Sequence, residues 1–528
     1  MLYRLYHWVD RNILELGREL RLSYLPPLMV YAAYGISGLT NVVGVFFVKD
    51  YLDLSAEFLA ALGFWANVPW ALKMPLGHLV DLIWRWKSVL VVLGAVLVAA
   101  SLLIMIGLLG HREAMATVMP VSTWYVLSAL LAPVGYILQD VVADAMTVEA
   151  VPTRDEKGHP LPPAQVKLMH TTMQTLGRVA IVGGGIFVGL LNVYKFDGVG
   201  AMDEAQRVRI YIEIFEIALL IPVISVSGVA LAGWLKLRQA ARLRRRGLEW
   251  RTAWRRVHPE MERTRPNWWI LLGSLLFVVF TLAVGLSDLP AREEIVFAGS
   301  MGIVLFLMAR LVRVLEPAAR NVLVGTAVVI FVYRAMPLPG AGETWWMIDV
   351  LGFDQQFQAI LGLIGSGLAL VGMFLFRRFM AERSIAYIMG FLTVVSFVLY
   401  LPIVGMYHGL HEWTAALTNG LVDARTIAVV DTALESPLGQ VAMIPMLAWI
   451  ANSAPPHLKA TFFAVMASFV NLALSASQLG TKYVNQIFTV SRGDYTELGP
   501  LLWTVSLATL ILPLAAIALV KKTRLRTA

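Results

Sequence analysis

Two carboxylates four residues apart stand inside a long apolar stretch of the sequence. Asp140 and Asp144 lie in GYILQDVVADAMTVEAV (135–151), where a helix would place both on one face. An ionisable side chain in hydrocarbon costs ~2.5–3.5 kcal/mol on insertion scales, so it persists only with a partner or a function. Because two neighbouring carboxylates cannot both ionise easily at a low dielectric constant, we expect one to hold a proton, as proton coupling requires. Gln139 lies beside the pair, and Glu149 lies near the end of the predicted helix that we assign to the cytoplasmic side.

A single cation is available on the next predicted helix. Arg178 is the one charged residue in MQTLGRVAIVGGG, and we expect it to be the counter-charge of the two carboxylates. Two roles fit this residue: a permanent ion pair that holds two helices together, or the binding of an anion during transport. We favour the transport role.

A second cation, Lys73, lies in NVPWALKMPLGHLVD between Pro69 and Pro75. Prolines interrupt a helix and free backbone groups, which together with a cation suits a water-filled cavity. The alternative is that Lys73 extends to the inner membrane interface, where Asp81 and Arg85 lie. The two possibilities are nearly equal at this point.

An acidic pair with the same spacing recurs later in the chain. Asp431 and Glu435 in VVDTALE lie 291 residues after Asp140 and Asp144. Either both pairs face one cavity, or the later pair lies in water at the outer end of its helix. The apolar neighbours of the later pair favour the cavity.

Three amides in predicted membrane helices could hydrogen-bond a ligand, namely Asn41, Gln174 and Asn471, although such residues more often join one helix to another. We predict no metal site, because the only close histidines, His408 and His411, lie in a predicted solvated loop. The chain has no cysteine, which excludes a thiol nucleophile and a thiolate metal site. We expect no cofactor.

The elements that must position these residues are membrane helices. Of the 528 residues, 58% are hydrophobic and 15% are charged, and runs such as 89–110 and 501–520 carry no charge. This composition excludes a water-soluble domain, and continuous apolar runs exclude a transmembrane barrel, whose strands alternate. The net charge of +8 is concentrated between the apolar runs, so it indicates orientation in the bilayer and not nucleic-acid binding.

The apolar runs predict an all-α integral membrane protein with fourteen transmembrane helices. We place them at 28–48, 58–80, 88–110, 122–148, 165–191, 210–235, 268–287, 294–315, 319–337, 356–376, 384–405, 424–450, 460–486 and 500–520. On this assignment 31 of the 43 Lys and Arg residues fall on one face and ten on the other. The positive-inside rule then puts both termini in the cytoplasm.

An internal repeat divides the chain into two copies. FFVKDYLDLSAEFLAAL (46–62) matches WWMIDVLGFDQQFQAIL (345–361) at an offset of 299, and PAQVKLMHTTMQTLG (163–177) matches PPHLKATFFAVMASF (455–469) at an offset of 292. Two six-helix copies around a site at the membrane midplane are typical of alternating-access transporters with the major facilitator fold.

The repeat also predicts the domain boundaries. Residues 1–27 form a cytoplasmic segment with an amphipathic helix at 3–22, and the first six-helix bundle covers 28–235. The remaining segments are a basic cytoplasmic linker at 236–267, an inserted transmembrane hairpin at 268–315, the second bundle at 316–520 and a basic cytoplasmic tail at 521–528.

Five motifs together resemble the folate-biopterin transporter family of the major facilitator superfamily. They are VKDYLDLS (48–55), PWALK (69–73), QDVVADA (139–145), QTLGRVAIVGG (174–184) and the long stretch 444–480 that begins IPMLAWIANSAPPHLKAT. The positions that match the family signature are Lys49, Asp50, Pro69, Trp70, Lys73, Asp140, Asp144 and Arg178.

This resemblance implies a proton-coupled importer of folates or pterins. A folate joins a planar ring to a carboxylate tail, so Arg178 and Lys73 would bind the carboxylates and Trp70 or Phe64 would contact the ring. Asp140 and Asp144 would carry the proton. We expect a monomer in the inner (plasma) membrane, with the lipid bilayer, protons and a small molecule as its partners.

Two departures from the family leave the substrate open. The hairpin at 268–315 is additional to the usual twelve helices, and Lys459 stands where an acidic residue is usual. The 139–145 motif also resembles that of muropeptide permeases, so a permease for a muropeptide, a sugar or another organic anion is the main alternative. A membrane-embedded enzyme and an assembly factor are the alternatives from other classes.

Overall fold

The described part of the computed structural model is predominantly helical. The described residues are 15–18, 20–52, 54–71, 73–152, 159–257, 268–287, 289–313, 315–443, 445, 446, 449, 459–523, 525 and 527. Within these ranges, extended pairing is limited to isolated bridges such as Ser491–Asp494. The predicted all-α class is confirmed. Of the predicted amphipathic helix at 3–22, Glu15–Arg18 forms one helical turn, and most of the remainder lies outside the described residues.

The first copy of the repeat contains ten described helices. They are α1 (Leu25–Ile36), α2 (Asn41–Tyr51), α3 (Ala56–Ala71), α4 (Lys73–Leu82), α5 (Lys87–Gly110), α6 (Arg112–Val118), α7 (Val121–Ala150), α8 (Pro163–Lys195), α9 (Glu204–Ala218) and α10 (Leu220–Arg245).

The rest of the chain continues in the same manner. Its described helices are α11 (Trp250–Val257), α12 (Trp268–Gly285), α13 (Arg292–Val312), α14 (Pro317–Arg334), α15 (Ala341–Asp349), α16 (Gln355–Leu375), α17 (Arg377–Glu382), α18 (Ile385–Tyr407), α19 (Leu410–Leu417), α20 (Ala424–Glu435), α21 (Lys459–Ile487) and α22 (Leu498–Lys522).

Helix boundaries follow the offsets of the sequence repeat. The start of α3 at Ala56 and the start of α16 at Gln355 lie 299 residues apart, as do the paired motifs of the sequence. The ends of α8 at Lys195 and α21 at Ile487 lie 292 residues apart, which is the second offset.

The protein is a multi-pass membrane protein. In the described part of the chain, eight helical stretches are long and apolar enough to cross a bilayer. They are Leu22–Tyr51, Trp84–Gly110, Val121–Ala150, Thr172–Ala201, Glu204–Arg245, Gln355–Leu375, Ile385–Tyr407 and Leu498–Lys522. The count of fourteen crossings stays a prediction.

The ninth predicted span differs from its expected form. We placed it at 319–337 and put the following residues in an outer loop, but α14 ends at Arg334 and the chain becomes helical again at Ala341. Pro337 and Pro339 explain the break, because proline lacks a backbone N–H and disfavours helical geometry in the preceding residue. Arg334 is therefore the last residue of α14, and residues 335–340 separate it from α15.

The twelfth predicted span is also interrupted. A continuous helix at 424–450 is wrong, because α20 ends at Glu435 and a short 3-10 turn follows at Ser436–Leu438. Pro437 in that turn accounts for the end of the α-helix.

The predicted basic linker at 236–267 is partly helical. Helix α10 continues past residue 235 to Arg245, and α11 follows from Trp250 to Val257. The rings of Trp250 and Trp254 are in tilted contact at a centroid distance of 5.6 Å. Aromatic rings beside arginines are typical of helices at a membrane surface.

Close backbone contact joins α1 to α8. A Cβ atom added to Gly184 would lie 2.6 Å from the carbonyl carbon of Gly35, which is closer than real Cβ contacts. Both positions therefore require glycine, as expected for helices that pack through small residues.

The predicted hairpin consists of α12 and α13, and its polar contacts are made to both repeat copies. Glu293 at the start of α13 accepts a hydrogen bond from the Trp65 indole N–H at 3.0 Å. Lys482 of α21 forms ion pairs with Glu293 and Glu294 at 3.3 and 3.0 Å.

Candidate substrate-binding site

A lysine lies between the two carboxylates of α7. The Lys73 Nζ atom is 2.7 Å from Asp140 Oδ2 and 2.9 Å from Asp144 Oδ2. Asp140 and Asp144 share one face of α7 because they are one helical turn apart, and Lys73 is the first residue of α4. The Asp140 side chain is 13% exposed and that of Asp144 is 40% exposed, so the two carboxylates differ in hydration.

This pairing corrects one expectation and selects between two others. We expected Arg178 to be the counter-charge, but neither Asp140 nor Asp144 forms an ion pair with it within 4 Å, all three residues being described in full. Lys73 is the partner instead, and its charge therefore points to the carboxylates and not to the membrane interface.

Aromatic side chains lie next to the charged cluster. The Tyr31 hydroxyl donates a 2.6 Å hydrogen bond to Asp144 Oδ1. Tyr34 packs edge-on against Trp70 at 5.9 Å and against Tyr136 at 5.7 Å. Aromatic faces beside ionic groups suit a ligand with a planar ring and a charged end. Sequence reasoning found Trp70 but missed the three tyrosines.

Phe64 does not belong to this aromatic group. Its side chain is fully buried in the apolar core and packs edge-on against Trp65 at 5.4 Å. The suggestion that Phe64 contacts a ligand ring is therefore replaced by a packing role.

Arg178 lies near the middle of α8 and contacts a sulfur atom. Its Nη1 atom is 3.7 Å from Met443 Sδ, which belongs to the second copy of the repeat. A thioether is a weak acceptor, so most of the five donors of this guanidinium stay available.

The predicted amides lie in different settings. Gln139 is buried, and its Nε2 atom has no hydrogen-bond partner among the described residues. Gln174 is exposed and donates to Thr147 Oγ1 at 3.3 Å. Asn41 is exposed at the first position of α2.

Asn471 connects the two repeat copies. Its Nδ2 atom donates a 3.1 Å hydrogen bond to the backbone carbonyl of Trp70. Asn471 therefore acts as a helix-to-helix contact beside the aromatic group.

Glu149 belongs to a separate ion-pair group. It pairs with Lys87 at 2.9 Å and with Lys236 at 2.7 Å, and thereby links α7 to α5 and α10. This arrangement is that of a structural contact and does not include the Lys73 cluster.

Lys49 connects the two copies at the end of α2. Its Nζ atom is 2.6 Å from Asp349 and 3.6 Å from Asp50, which are equivalent positions of the repeat. The Tyr495 hydroxyl also donates to Asp349. One lysine therefore serves the aspartates of both copies.

The later acidic pair contains one buried carboxylate. Asp431 is 8% exposed, and its Oδ1 atom has no hydrogen-bond partner in the described part of the chain, whereas Glu435 at the end of α20 is exposed. Glu343 of α15 accepts a 2.7 Å hydrogen bond from the Tyr400 hydroxyl and interacts electrostatically with both. Sequence reasoning missed Glu343 because it placed this residue in an outer loop.

The described residues contain no group of three or more His, Asp or Glu side chains that could hold a metal ion. His408 accepts a 3.3 Å hydrogen bond from the Trp503 indole N–H.

Comparison with known proteins decides the family. A family model described as the BT1 family matches residues 34–527. The chain belongs to the BT1 family. This family lies within the major facilitator superfamily, so the family expected from the sequence motifs is confirmed. BT1 proteins are transporters.

The curated relatives of this BT1 protein carry transporter names. A protein named folate-biopterin transporter from Synechocystis sp. is 23% identical over 505 residues, which cover 95% of this chain and 82% of that protein. A putative folate transporter 2 from Plasmodium berghei is 28% identical over 167 residues, which cover 30% of this chain and 34% of that protein.

Solved structures of other transporters share the fold of the BT1 chain. A mutant of the nucleoside transporter NupG has a TM-score of 0.56 at 12% identity and covers 94% of this chain and 99% of its own. An auto-inhibited peptide transporter of the POT family has a TM-score of 0.56 at 13% identity, with coverages of 96% and 97%. At such low identity these similarities show the fold alone.

Proposed function

We propose that this BT1 protein is a proton-coupled secondary transporter that imports folate-like or pterin-like organic anions by alternating access. The observation that carries the proposal is the position of Lys73 between Asp140 and Asp144. One cation cannot fully neutralise two carboxylates at a low dielectric constant, so the group has room for one proton. A substrate carboxylate that attracts Lys73 weakens its hold on the aspartates and favours their protonation. Binding of the anion and uptake of the proton are then linked.

The proposed substrate class follows from the surrounding residues and from the relatives. Trp70, Tyr34 and Tyr136 provide aromatic faces for a pteridine ring. Arg178 provides a guanidinium whose donors are largely free for a carboxylate. The name of the Synechocystis relative, a folate-biopterin transporter, supports the same class.

The proposed transport cycle assigns roles to the remaining polar residues. Gln139 and Gln174 hydrogen-bond the ligand or water, as does Asn41 when the cavity opens, and Asn471 holds Trp70. Lys49 closes the outer end of the cavity through its bond to Asp349.

Secondary roles are assigned to four more acidic side chains. Asp50 shares Lys49 with Asp349, and Asp431 and Glu435 form the acidic face of the second copy. Glu149 maintains the helix contacts on the cytoplasmic side.

The proposed topology has fourteen crossings. Residues 28–235 and 316–520 form the two six-helix bundles, and the hairpin at 268–315 is an insertion. We infer that both termini are cytoplasmic, that the membrane is the inner (plasma) membrane and that the transporter works as a monomer.

A permease for a muropeptide, a sugar or another organic anion is the second candidate. The observation that favours it is the additional hairpin, whose Glu293 and Glu294 bind Lys482 of α21. A hairpin attached to transport helices can change the shape of the cavity, and hence the substrate.

The test is uptake of radiolabelled folic acid into proteoliposomes under an imposed pH gradient. We expect accumulation that a protonophore abolishes, and we expect Asp144→Asn to exchange substrate across the membrane without concentrating it. Glu213→Gln, which removes an exposed carboxylate paired with Lys195, is the matched control and should transport normally. Accumulation by Asp144→Asn at the wild-type level would exclude the coupling role, and uptake of a muropeptide or sugar but not of folates or pterins would favour the second candidate.

A further inference from the structure

Arg334 is a half-buried cation at the break between α14 and α15. Its Nε atom is buried without a hydrogen-bond partner among the described residues, and its Nη1 atom lies 4.0 Å from Met446 Sδ. A guanidinium cannot be deprotonated in a protein, so this charge stays in a poorly solvated position. Burial of an unpaired charge is unfavourable, so a bound anion would stabilise Arg334 in this position.

Arg178 approaches the same short segment from the other copy of the repeat. Its Nη1 atom is 3.7 Å from Met443 Sδ, and Met443 and Met446 are only three residues apart. One guanidinium from α8 and one from α14 thus each contact a methionine of the same short segment. Within the described part of the chain, neither forms an ion pair with a carboxylate within 4 Å.

We propose that Arg178 and Arg334 together form a binding site for a dicarboxylate, with one carboxylate on each guanidinium. This inference deepens the proposed function and rests on it, because it assigns the two-carboxylate tail of a folate to the two arginines. Arginine binds a carboxylate through two parallel N–H···O bonds, which gives both affinity and orientation. A neutral pterin has no group for this site, so the site separates folates from pterins.

The inference also predicts how Arg334 affects the stability of the ligand-free protein. The Arg334 guanidinium is incompletely hydrogen-bonded among the described residues, which is unfavourable for a half-buried cation. Replacement of Arg334 by glutamine should therefore leave the ligand-free protein as stable as wild type, or more stable. A purely structural arginine would show the reverse.

The experiment measures ligand binding by purified protein in detergent with four probes. Folic acid and 4-aminobenzoylglutamate each carry two carboxylates, 4-aminobenzoate carries one, and 6-hydroxymethylpterin carries none. The variants are Arg334→Gln, Arg334→Lys and the matched control Arg320→Gln, which alters an exposed residue of the same helix. The melting temperature of each ligand-free variant is recorded in parallel.

We expect Arg334→Gln to weaken binding of both dicarboxylates by about ten- to a hundredfold, as for the loss of a charge-assisted bidentate contact. Its affinity for 6-hydroxymethylpterin should stay within about twofold of wild type, since that probe makes no charge-assisted contact. Arg334→Lys should recover part of the loss, because it restores the charge but not the planar fork. Arg320→Gln should bind every probe as wild type does.

Three results would overturn the inference. The first is wild-type affinity of Arg334→Gln for both dicarboxylates, which would leave the folate proposal intact if wild type binds folic acid. The second is a lowered ligand-free melting temperature with equal losses for all probes, which would make Arg334 structural. The third is a wild-type protein that binds none of the probes, which would remove the proposed function as well. Arg334-dependent binding of 4-aminobenzoylglutamate without any binding of pterins would support the two-arginine site and contradict the pterin part of the proposed function.

Discussion

Replacement of Lys73 by methionine removes the cation that Asp140 and Asp144 share. At an effective dielectric constant of about 20, the 2.7 Å contact between Lys73 and Asp140 corresponds to about 6 kcal/mol of Coulomb attraction before desolvation is subtracted. Because the Asp144 side chain is 40% exposed, its contact is screened and should contribute about 1 kcal/mol or less. Breaking a buried pair from one side typically costs about 3–5 kcal/mol. We expect Lys73→Met to lose that amount of unfolding free energy.

A double-mutant cycle separates the charge effect from the loss of packing. Lys73→Met combined with Asp140→Asn removes the uncompensated carboxylate, so the double variant should recover about 2 kcal/mol or more relative to Lys73→Met alone. The assay is equilibrium unfolding in mixed detergent and dodecyl sulfate micelles, followed by tryptophan fluorescence. Lys195→Met is the matched control, because Lys195 pairs with Glu213, whose side chain is 42% exposed, and the expected loss is below about 1 kcal/mol.

The result that would refute this reasoning is specific. If Lys73→Met unfolds within about 1 kcal/mol of wild type, the cluster does not have the buried electrostatic character assigned to it. If the second substitution, Asp140→Asn, lowers stability further, the loss comes from packing and not from an unbalanced charge.

Three further predictions concern other parts of the fold. Gly184→Ala should lose about 1–3 kcal/mol of stability because its Cβ atom would meet backbone, whereas Gly183→Ala, with open space at that position, should be neutral or slightly stabilising in the same unfolding assay. Lys49→Gln should expose a cysteine introduced beside Asp349, so that an impermeant maleimide labels it about fivefold faster. The size follows because a partly exposed ion pair contributes up to about 1 kcal/mol. The chain has no cysteine of its own, so only the introduced one is labelled. Asp423→Ala should cost about 1 kcal/mol at neutral pH through loss of the N-cap of α20. The hydrogen bond from the backbone N–H of the first turn holds the pKa of Asp423 below its ordinary value, so this contribution is present above the ordinary pKa and disappears as the pH falls through the lowered one. An unchanged Asp423→Ala stability at neutral pH, equal effects of the two glycine variants, or unchanged labelling in Lys49→Gln would each contradict the corresponding assignment.

Sequence patterns predicted the helices and the shared face of the two α7 carboxylates because both depend on local sequence. Long apolar runs specify membrane helices, and the four-residue spacing places Asp140 and Asp144 on one face in any helix. The offset of 299 residues could be read directly, and the starts of α3 and α16 follow it. Resemblance of the motifs then supplied the family.

The cation that pairs with Asp140 and Asp144 could not be predicted in the same way, because the pairing depends on how helices distant in sequence pack together. Lys73 and Arg178 were both available as cations, and only the packing of α4 against α7 decides for Lys73. Arg334 was missed for a related reason. From the sequence we placed it at the outer end of a membrane span, while the structure shows an interruption with further helix beyond.

The backbone contact between Gly35 and Gly184 determines which distances can change during transport. Because the backbones of α1 and α8 touch at these glycines, we expect the two helices to move as one body. Arg178 is carried on that body, while Arg334 belongs to the other copy of the repeat. The distance between the two guanidiniums therefore varies as the copies rock. A diacid that bridges them fits only those conformations in which this distance matches the spacing of its carboxylates. We expect the transporter to select substrates by the distance between their two carboxylates. Diacids that are shorter or longer than the bridging distance should bind but not be transported.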